Sequence, residues 1–324
     1  MTFSQLKRTP CNKGWLQQDR KLKERGSGRK MLVDAHCHYE KQDLNGLVPF
    51  EPVLSLSNRD KWDSVRVGGK EEEEPGIKRG MGIHPWYAHL YTFDSHIEKL
   101  DHYNKVLKWS GNAKEKLQNF DSEFATLVGQ LPDPIVLPRK IDLSPSLPQF
   151  IGEVGLDKVF RIPLSKTKEG FGDTVGLSHF TCTLEHQLVI LEWWLHQAAR
   201  HSLSVQVHAV KYPDPVLQAC KRCLLANPHC KILLHGYQGS RESLEQWIKI
   251  FTTERVYVSF NTHLNERLLE SYRTVLDSHQ ALAETDWPEF HREQYEILQD
   301  ITKKVQQCYD NSIDFKSNIQ SFLH

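Results

Sequence analysis

Met31-Leu32-Val33-Asp34-Ala35-His36-Cys37-His38 opens with a short apolar run and then releases three ligand-type side chains at every second position. Side chains alternate faces along a strand, so Asp34, His36 and His38 share one side and Cys37 points to the other, into a core. Two imidazoles at that spacing can hold one metal ion, and a carboxylate behind them can orient the rings. A single histidine near a strand end is ordinarily solvated or hydrogen-bonded. Two on one face beside an aspartate make the rest of the chain decisive.

Outward from this stretch, the patterning predicts a second strand at Pro52–Ser57 and a third at Gly80–Trp86 that ends in a turn. Five more are predicted at Phe150–Asp157, Ser204–His208, Lys231–Gly236, Arg255–Phe260 and Ala281–Asp286. Amphipathic helices are expected at Leu184–His201, Val216–Ala226 and Arg241–Phe251, with two more near 290–309 and 312–323. Eight strands, most of them separated by helices, favour an α/β fold, the closed (β/α)8 TIM barrel. Two long connections interrupt the pattern. Residues 87–148 show helical periodicity around Asp94–Trp109 and Glu115–Leu127 before a proline-rich end, and 161–180 read as a loop rich in Gly, Ser and Thr.

The bulk numbers narrow the class. With 324 residues, 39% apolar and 25% charged, the chain can bury a full core as one large barrel. Lys+Arg and Asp+Glu both number 41, so no global field points to a polyanion, and a nucleic acid would have to be held locally. No apolar run is long enough to span a membrane, and the beginning lacks the apolar core of a signal peptide. Seven cysteines without framework spacing suit a reducing compartment, so cytoplasm or nucleus is expected. Residues 1–30 carry nine basic side chains against Asp19 and Glu24, the composition of a flexible basic tail ahead of a single domain at 31–324.

The ligand-type pattern recurs along the chain. His36, His38, His84, Glu153, His208, His235 and Asp286 each fall at the C-terminal end of a predicted strand, and in this barrel those ends converge on the face that holds active sites. Six independent strands sending His, Glu or Asp to one rim point to a metal-dependent hydrolase. Four imidazoles and two carboxylates suffice for two divalent ions with one carboxylate between them, an arrangement that activates water.

In order, Asp34-Ala-His36-Cys-His38, Gly82-Ile-His84-Pro85-Trp86, Gly152-Glu153-Val-Gly155-Leu-Asp157, Val207-His208, Leu234-His235-Gly236 and Glu284-Thr-Asp286-Trp-Pro288 resemble the TatD family of metal-dependent deoxyribonucleases, in the amidohydrolase superfamily. The long inserts resemble a fungal branch of that family. The resemblance implies that His36, His38 and Asp286 hold one ion, that His208 and His235 hold the other, and that Glu153 bridges them. It further implies that Asp286 takes the proton of the attacking water and that His84 and Asp157 lie near the substrate phosphate. The implied activity is 3′-to-5′ exonucleolytic cleavage of DNA with two Mg2+, Mn2+ or Zn2+ ions. The chain departs from the family at His208-Ala-Val, where an arginine is usual and Lys211 stands nearby, at Tyr237-Gln-Gly239, and at Trp287, which replaces a small residue beside the substrate.

Two other readings use the same residues. A metal pair also activates water for an amide, ester or lactone carbonyl. A scaffold could keep the barrel and bind a protein partner through the inserts and the basic tail. Cys220-Lys-Arg-Cys223, near His229 and Cys230, lacks a second pair and falls on a predicted helix, so ordinary thiols are expected there. Asn261 and His263 follow the seventh strand, within reach of substrate or in solvent. Trp193-Trp194 is expected to pack a helix.

Overall fold

Strand β1, Leu32–Cys37, is buried along almost its whole length, which is why its sequence is apolar on both faces except where it presents a ligand. It is the first of eight parallel strands: β2 Phe50–Leu56, β3 Lys78–Met81, β4 Phe150–Asp157, β5 Ser204–Val210, β6 Ile232–Leu234, β7 Val256–Phe260 and β8 Ala281–Ala283. They pair in chain order, each with the next. The two edges also meet, since the Asp286 amide donates to His36 O (3.0 Å) and the His38 amide to Trp287 O (2.8 Å). The sheet therefore curls back on itself, the α/β barrel expected from the sequence. This computed structural model describes residues 32–38, 50–56, 78–138, 149–165, 174–263, 265–287 and 292–324. The basic stretch 1–30, Pro288, and parts of both expected inserts lie outside the described residues.

The helices are α1 Lys99–Val106, α2 Ala113–Gln130, α3 Leu184–His201, α4 Pro213–Leu224, α5 Arg241–Phe251, α6 Glu266–Tyr272, α7 Arg292–Cys308 and α8 Phe315–Leu323. Side-chain caps set several of the starts and stops. Thr183 caps α3 by accepting from the His186 amide, and Ser202 ends it in the left-handed region at φ 55°. Asn112 and Glu115 form a capping box at the start of α2. The inner face of α3 buries Ile190, Leu191, Trp194 and Leu195 against the sheet, each such side chain contributing roughly 1.5–3 kcal/mol.

Glycine matters where β4 meets β5. Gly155 stands opposite His208 in the register, and a Cβ there would lie 1.9 Å from the His208 carbonyl oxygen. Only glycine lets the two main chains approach this closely at the rim.

Three expectations change. The third strand stops at Met81, and Pro85–Leu90 form a 3-10 turn capped by His84, because a proline at the first helical position favours a helical start over a continued strand. The segment expected to be helical to Trp109 ends its helix at Val106; Leu107–Trp109 instead pair antiparallel with Phe180–Cys182. The stretch 161–180, expected to be loop, contains strands at Pro163–Ser165 and Thr174–Leu177 that pair with one another.

Candidate metal centre

Glu153, from the middle of fully buried β4, sits at the centre of the cluster. Its Oε1 lies 2.5 Å from His208 Nδ1, 2.5 Å from His235 Nε2 and 3.3 Å from His84 Nε2. Its Oε2 lies 3.3 Å from His36 Nε2 and 3.2 Å from His38 Nε2. Asp286 Oδ1 closes the other side, 3.6 Å from His36 Nε2 and 3.5 Å from His38 Nε2. Asp286 adopts φ 59°, a left-handed conformation that aspartate tolerates better than most residues, and its side chain is 39% exposed. All eight site residues expected from the sequence, Asp157 included, are brought to one end of the barrel.

Surrounding groups settle which ring nitrogens face inward. His36 Nδ1 donates to Gln206 Oε1 (2.7 Å), whose amide is held the right way round by donation from its Nε2 to Ala35 O (3.0 Å). The Nε2 lone pair of His36 must then point at Glu153 and at His38 Nε2, 3.0 Å away. His235 Nδ1 faces the Glu284 carboxylate at 3.3 Å and His208 Nε2 faces Asp157 Oδ2 at 3.5 Å, while their inner nitrogens lie 2.5 Å from Glu153 Oε1, a distance at which the metal-free rings donate to the carboxylate. His84 is the opposite case. Its Nδ1 accepts from the Trp86 amide (3.1 Å), so its proton sits on Nε2 and is directed at Glu153.

The charges agree with this arrangement. Burial alone would raise the Glu153 carboxyl, but His235, His84, His208 and His36 hold it well below the usual carboxylate range. Burial opposes protonation of His38, yet hydrogen bonds to Asp286 and Glu153 outweigh it and push the ring up to about 10. His235 and His208 rise against burial for the same reason, facing Glu153 with Glu284 and Asp157 respectively. Burial is offset at Asp286 by His38, His235 and His36, which lower its carboxyl, whereas burial brings His84 down to about 4.

Four imidazole nitrogens converge on one buried carboxylate, and the protons that the metal-free rings turn toward it are those a divalent cation would replace. Among the described residues, three overlapping groups have ligand atoms close enough to hold a metal ion: His36, His38 and Glu153; His36, His235 and Asp286; His84, Glu153 and His208. A donor set of imidazole nitrogens and carboxylates fits a divalent cation.

The first strand departs from expectation in one respect. Asp34 accepts from the Thr285 amide (2.9 Å) and hydroxyl (2.6 Å) on the far side of the seam, and Gln206 holds the His36 ring. Burial pushes the Asp34 carboxyl up to about 7 against the lowering effect of the two Thr285 bonds. Gln206 and Glu284 were missed as orienting residues, although each stands two positions before a ligand on the same strand face. Asn261 is buried and donates to Glu284, while accepting from the His263 amide. Cys37, Cys220 and Cys230 are buried thiols, and Cys223 lies on α4 with its sulfur 3.8 Å from His196. Trp194 is fully buried in α3, as expected of helix packing.

Comparison with known proteins places this geometry. The profile described as TatD related DNase matches residues 33–317. An uncharacterized deoxyribonuclease of Saccharomyces cerevisiae is 30% identical over 306 residues, covering 87% of this chain and 94% of its own. The Cut9-interacting protein scn1 of Schizosaccharomyces pombe is 26% identical over 302 residues, covering 79% of this chain and 86% of its own. Among solved structures, a TatD homologue from Escherichia coli shares the fold with a TM-score of 0.51 at 16% identity, over 90% of this chain and 95% of that one.

Proposed function

This chain belongs to the TatD related DNase family, and we propose that it removes nucleotides from the 3′ end of DNA with two divalent metal ions. It is a metal-dependent hydrolase of phosphodiester bonds; direction of attack, ion number and residue roles are our reading. The observation supporting that reading is the set of imidazole nitrogens converging on Glu153, with the outer nitrogens of His36, His235 and His208 facing Gln206, Glu284 and Asp157. His36, His38 and Asp286 would hold one cation, His208 and His235 a second, with Glu153 between them. Imidazole-rich donors suit Zn2+ or Mn2+, and the phosphate oxygens of a substrate suit Mg2+ or Mn2+.

Divalent ions bound there would acidify a water and offset the charge that develops on the phosphate oxygens. The remaining work falls to the chain. Asp286, ionised and partly exposed, accepts the proton of the attacking water. Its main chain is tied to β1 by the bond to His36 O, which keeps the carboxylate over the cluster. His84, neutral and with its proton on Nε2, donates to a non-bridging phosphate oxygen and so orients phosphorus for in-line attack. We place this activity in the cytoplasm or nucleus; among the described residues no helix is long and apolar enough to cross a membrane. A protein partner is a second reading, favoured by the name of the fission-yeast relative, with the two inserts as the docking segments.

The test is cleavage of end-labelled single-stranded and duplex DNA with Mg2+, Mn2+ or Zn2+, comparing wild type with Glu153→Ala. A metal-dependent ladder shortening from the 3′ end, reduced at least 1000-fold in the variant, is expected for a group shared by both ions (roughly 4 kcal/mol of barrier). Intact DNA after incubation with folded, metal-loaded wild type would move the assignment to a carbonyl substrate.

A further inference from the structure

Next to the cluster stands an aromatic pair that the hydrolytic chemistry does not use. Trp86 follows His84-Pro85 and remains 40% exposed, unusual for the largest apolar side chain beside a buried polar site. One face of its indole is stacked on Phe160, with ring centroids 4.6 Å apart and planes 11° from parallel. Its edge meets His84, 4.7 Å away at 76°. The indole Nε1–H donates to Asp157 Oδ2 at 2.8 Å. Asp157 Oδ1 meanwhile accepts from the Val159 and Phe160 amides, fixing the loop that carries the second ring.

Asp157 therefore anchors both rings to the catalytic face, since the same Oδ2 lies 3.5 Å from His208 Nε2. The exposed indole stands one ring contact, 4.7 Å, from His84, the residue that the nuclease reading sets against the substrate phosphate, so a base of the same strand comes within its reach. Stacking on an aromatic face is how proteins bind single-stranded nucleic acid without reading its sequence, because every base has a π-face. The neighbouring Val159, also exposed, widens the apolar rim.

We propose that Trp86, backed by Phe160 and clamped by Asp157, is a stacking platform for one unpaired nucleobase of the strand whose phosphate is cleaved. The proposal rests on the nuclease reading and deepens it. A base can reach the platform only after leaving its own stack and pair, so single-stranded or frayed 3′ ends are the substrates, with little preference for sequence.

The experiment compares two 3′-end substrates, an ordinary single-stranded oligonucleotide and the same strand with abasic sugars at its last two positions. Both are cleaved by the full chain loaded with Mn2+. In wild type, the intact strand should show a KM about 10- to 100-fold lower than the abasic one, the range that one base stack supplies. In Trp86→Leu the two KM values should converge to within about threefold, and Trp86→Phe, which keeps a ring but loses the bond to Asp157, should retain only part of the difference. A wild type that does not distinguish the two strands, or a Trp86→Leu that still does, overturns the platform while leaving the nuclease in place. Failure of wild type to cleave either strand removes the nuclease reading itself, and the platform with it. Should Trp86→Leu not fold, the Trp86→Phe comparison still decides, because a smaller ring must narrow the gap if stacking creates it.

Discussion

Gln206 offers the sharpest test of how the cluster is built, because its two amide ends do different jobs. Its Oε1 accepts from His36 Nδ1 at 2.7 Å and its Nε2 donates to Ala35 O at 3.0 Å, with the residue wholly buried. Gln206→Leu removes both. Losing the acceptor frees the His36 ring to rotate and to place its proton on the inner nitrogen, and outer partners of this kind typically contribute 10- to 100-fold to metal affinity, about 1.4–2.7 kcal/mol. Leaving two buried polar groups short of a bond costs about 2–4 kcal/mol of stability in addition. Gln206→Glu keeps an oxygen facing His36 but loses the donor to Ala35 O, so it should lose stability while holding Zn2+ within a few-fold of wild type. Competition against a fluorescent chelator reads the affinity, and urea unfolding of the metal-free protein reads the stability. Equal losses of Zn2+ affinity in the two variants, or a Leu variant within threefold of wild type, would refute the orienting role.

Two further outcomes follow from the charges. His38, His208 and His235 are all raised in the metal-free protein, whereas three ordinary imidazoles at pH 7.5 would together hold only about 0.3 proton. Saturation with metal at pH 7.5 should therefore release more than one proton, and affinity should weaken as pH falls; calorimetry in buffers of different ionisation enthalpy counts the protons, and a release below about 0.3 contradicts the assignment. Away from the centre, burial pulls His89 down to about 3 and His186 to about 4, so the unfolded chain binds protons that the fold refuses. Their stabilisation is complete above pH 6.5 and is lost as pH falls, by up to about 2 kcal/mol each at pH 5; urea titrations should show that loss shrinking by about half of the pair's share in His89→Leu, and unchanged pH dependence would count against it.

What the sequence made legible is the layer of residues that hold chemistry; the layer beneath was hidden for a physical reason. The ligand positions could be read because His, Glu and Asp at six strand ends have no ordinary place in an apolar barrel core. Asp34, Gln206 and Glu284 sit one inward-facing step lower, each two residues before His36, His208 or Asp286, and all three are fully buried. Each reaches across to another strand: Asp34 binds Thr285 as well as the His36 amide, Gln206 holds His36, and Glu284 holds His235. Parity set Asp34 on one face with His36 and His38 and could have flagged Gln206 and Glu284 in the same way, but the cross-strand partners of all three lie 49 to 251 residues away in the chain, and only the closed barrel brings them together. The turn at Pro85–Leu90 was expected at the end of a strand reaching Trp86, whereas the strand stops at Met81, for a related reason. Its decisive contact, the Trp86 amide on His84 Nδ1, is a side-chain cap that an apolar pattern does not record, and the same contact sets the histidine's tautomer. In this barrel the orienting groups cross from strand to strand. A change in any one of them should therefore disturb a ligand on a different strand, which is why the Gln206 variants are read at the metal and not at His208.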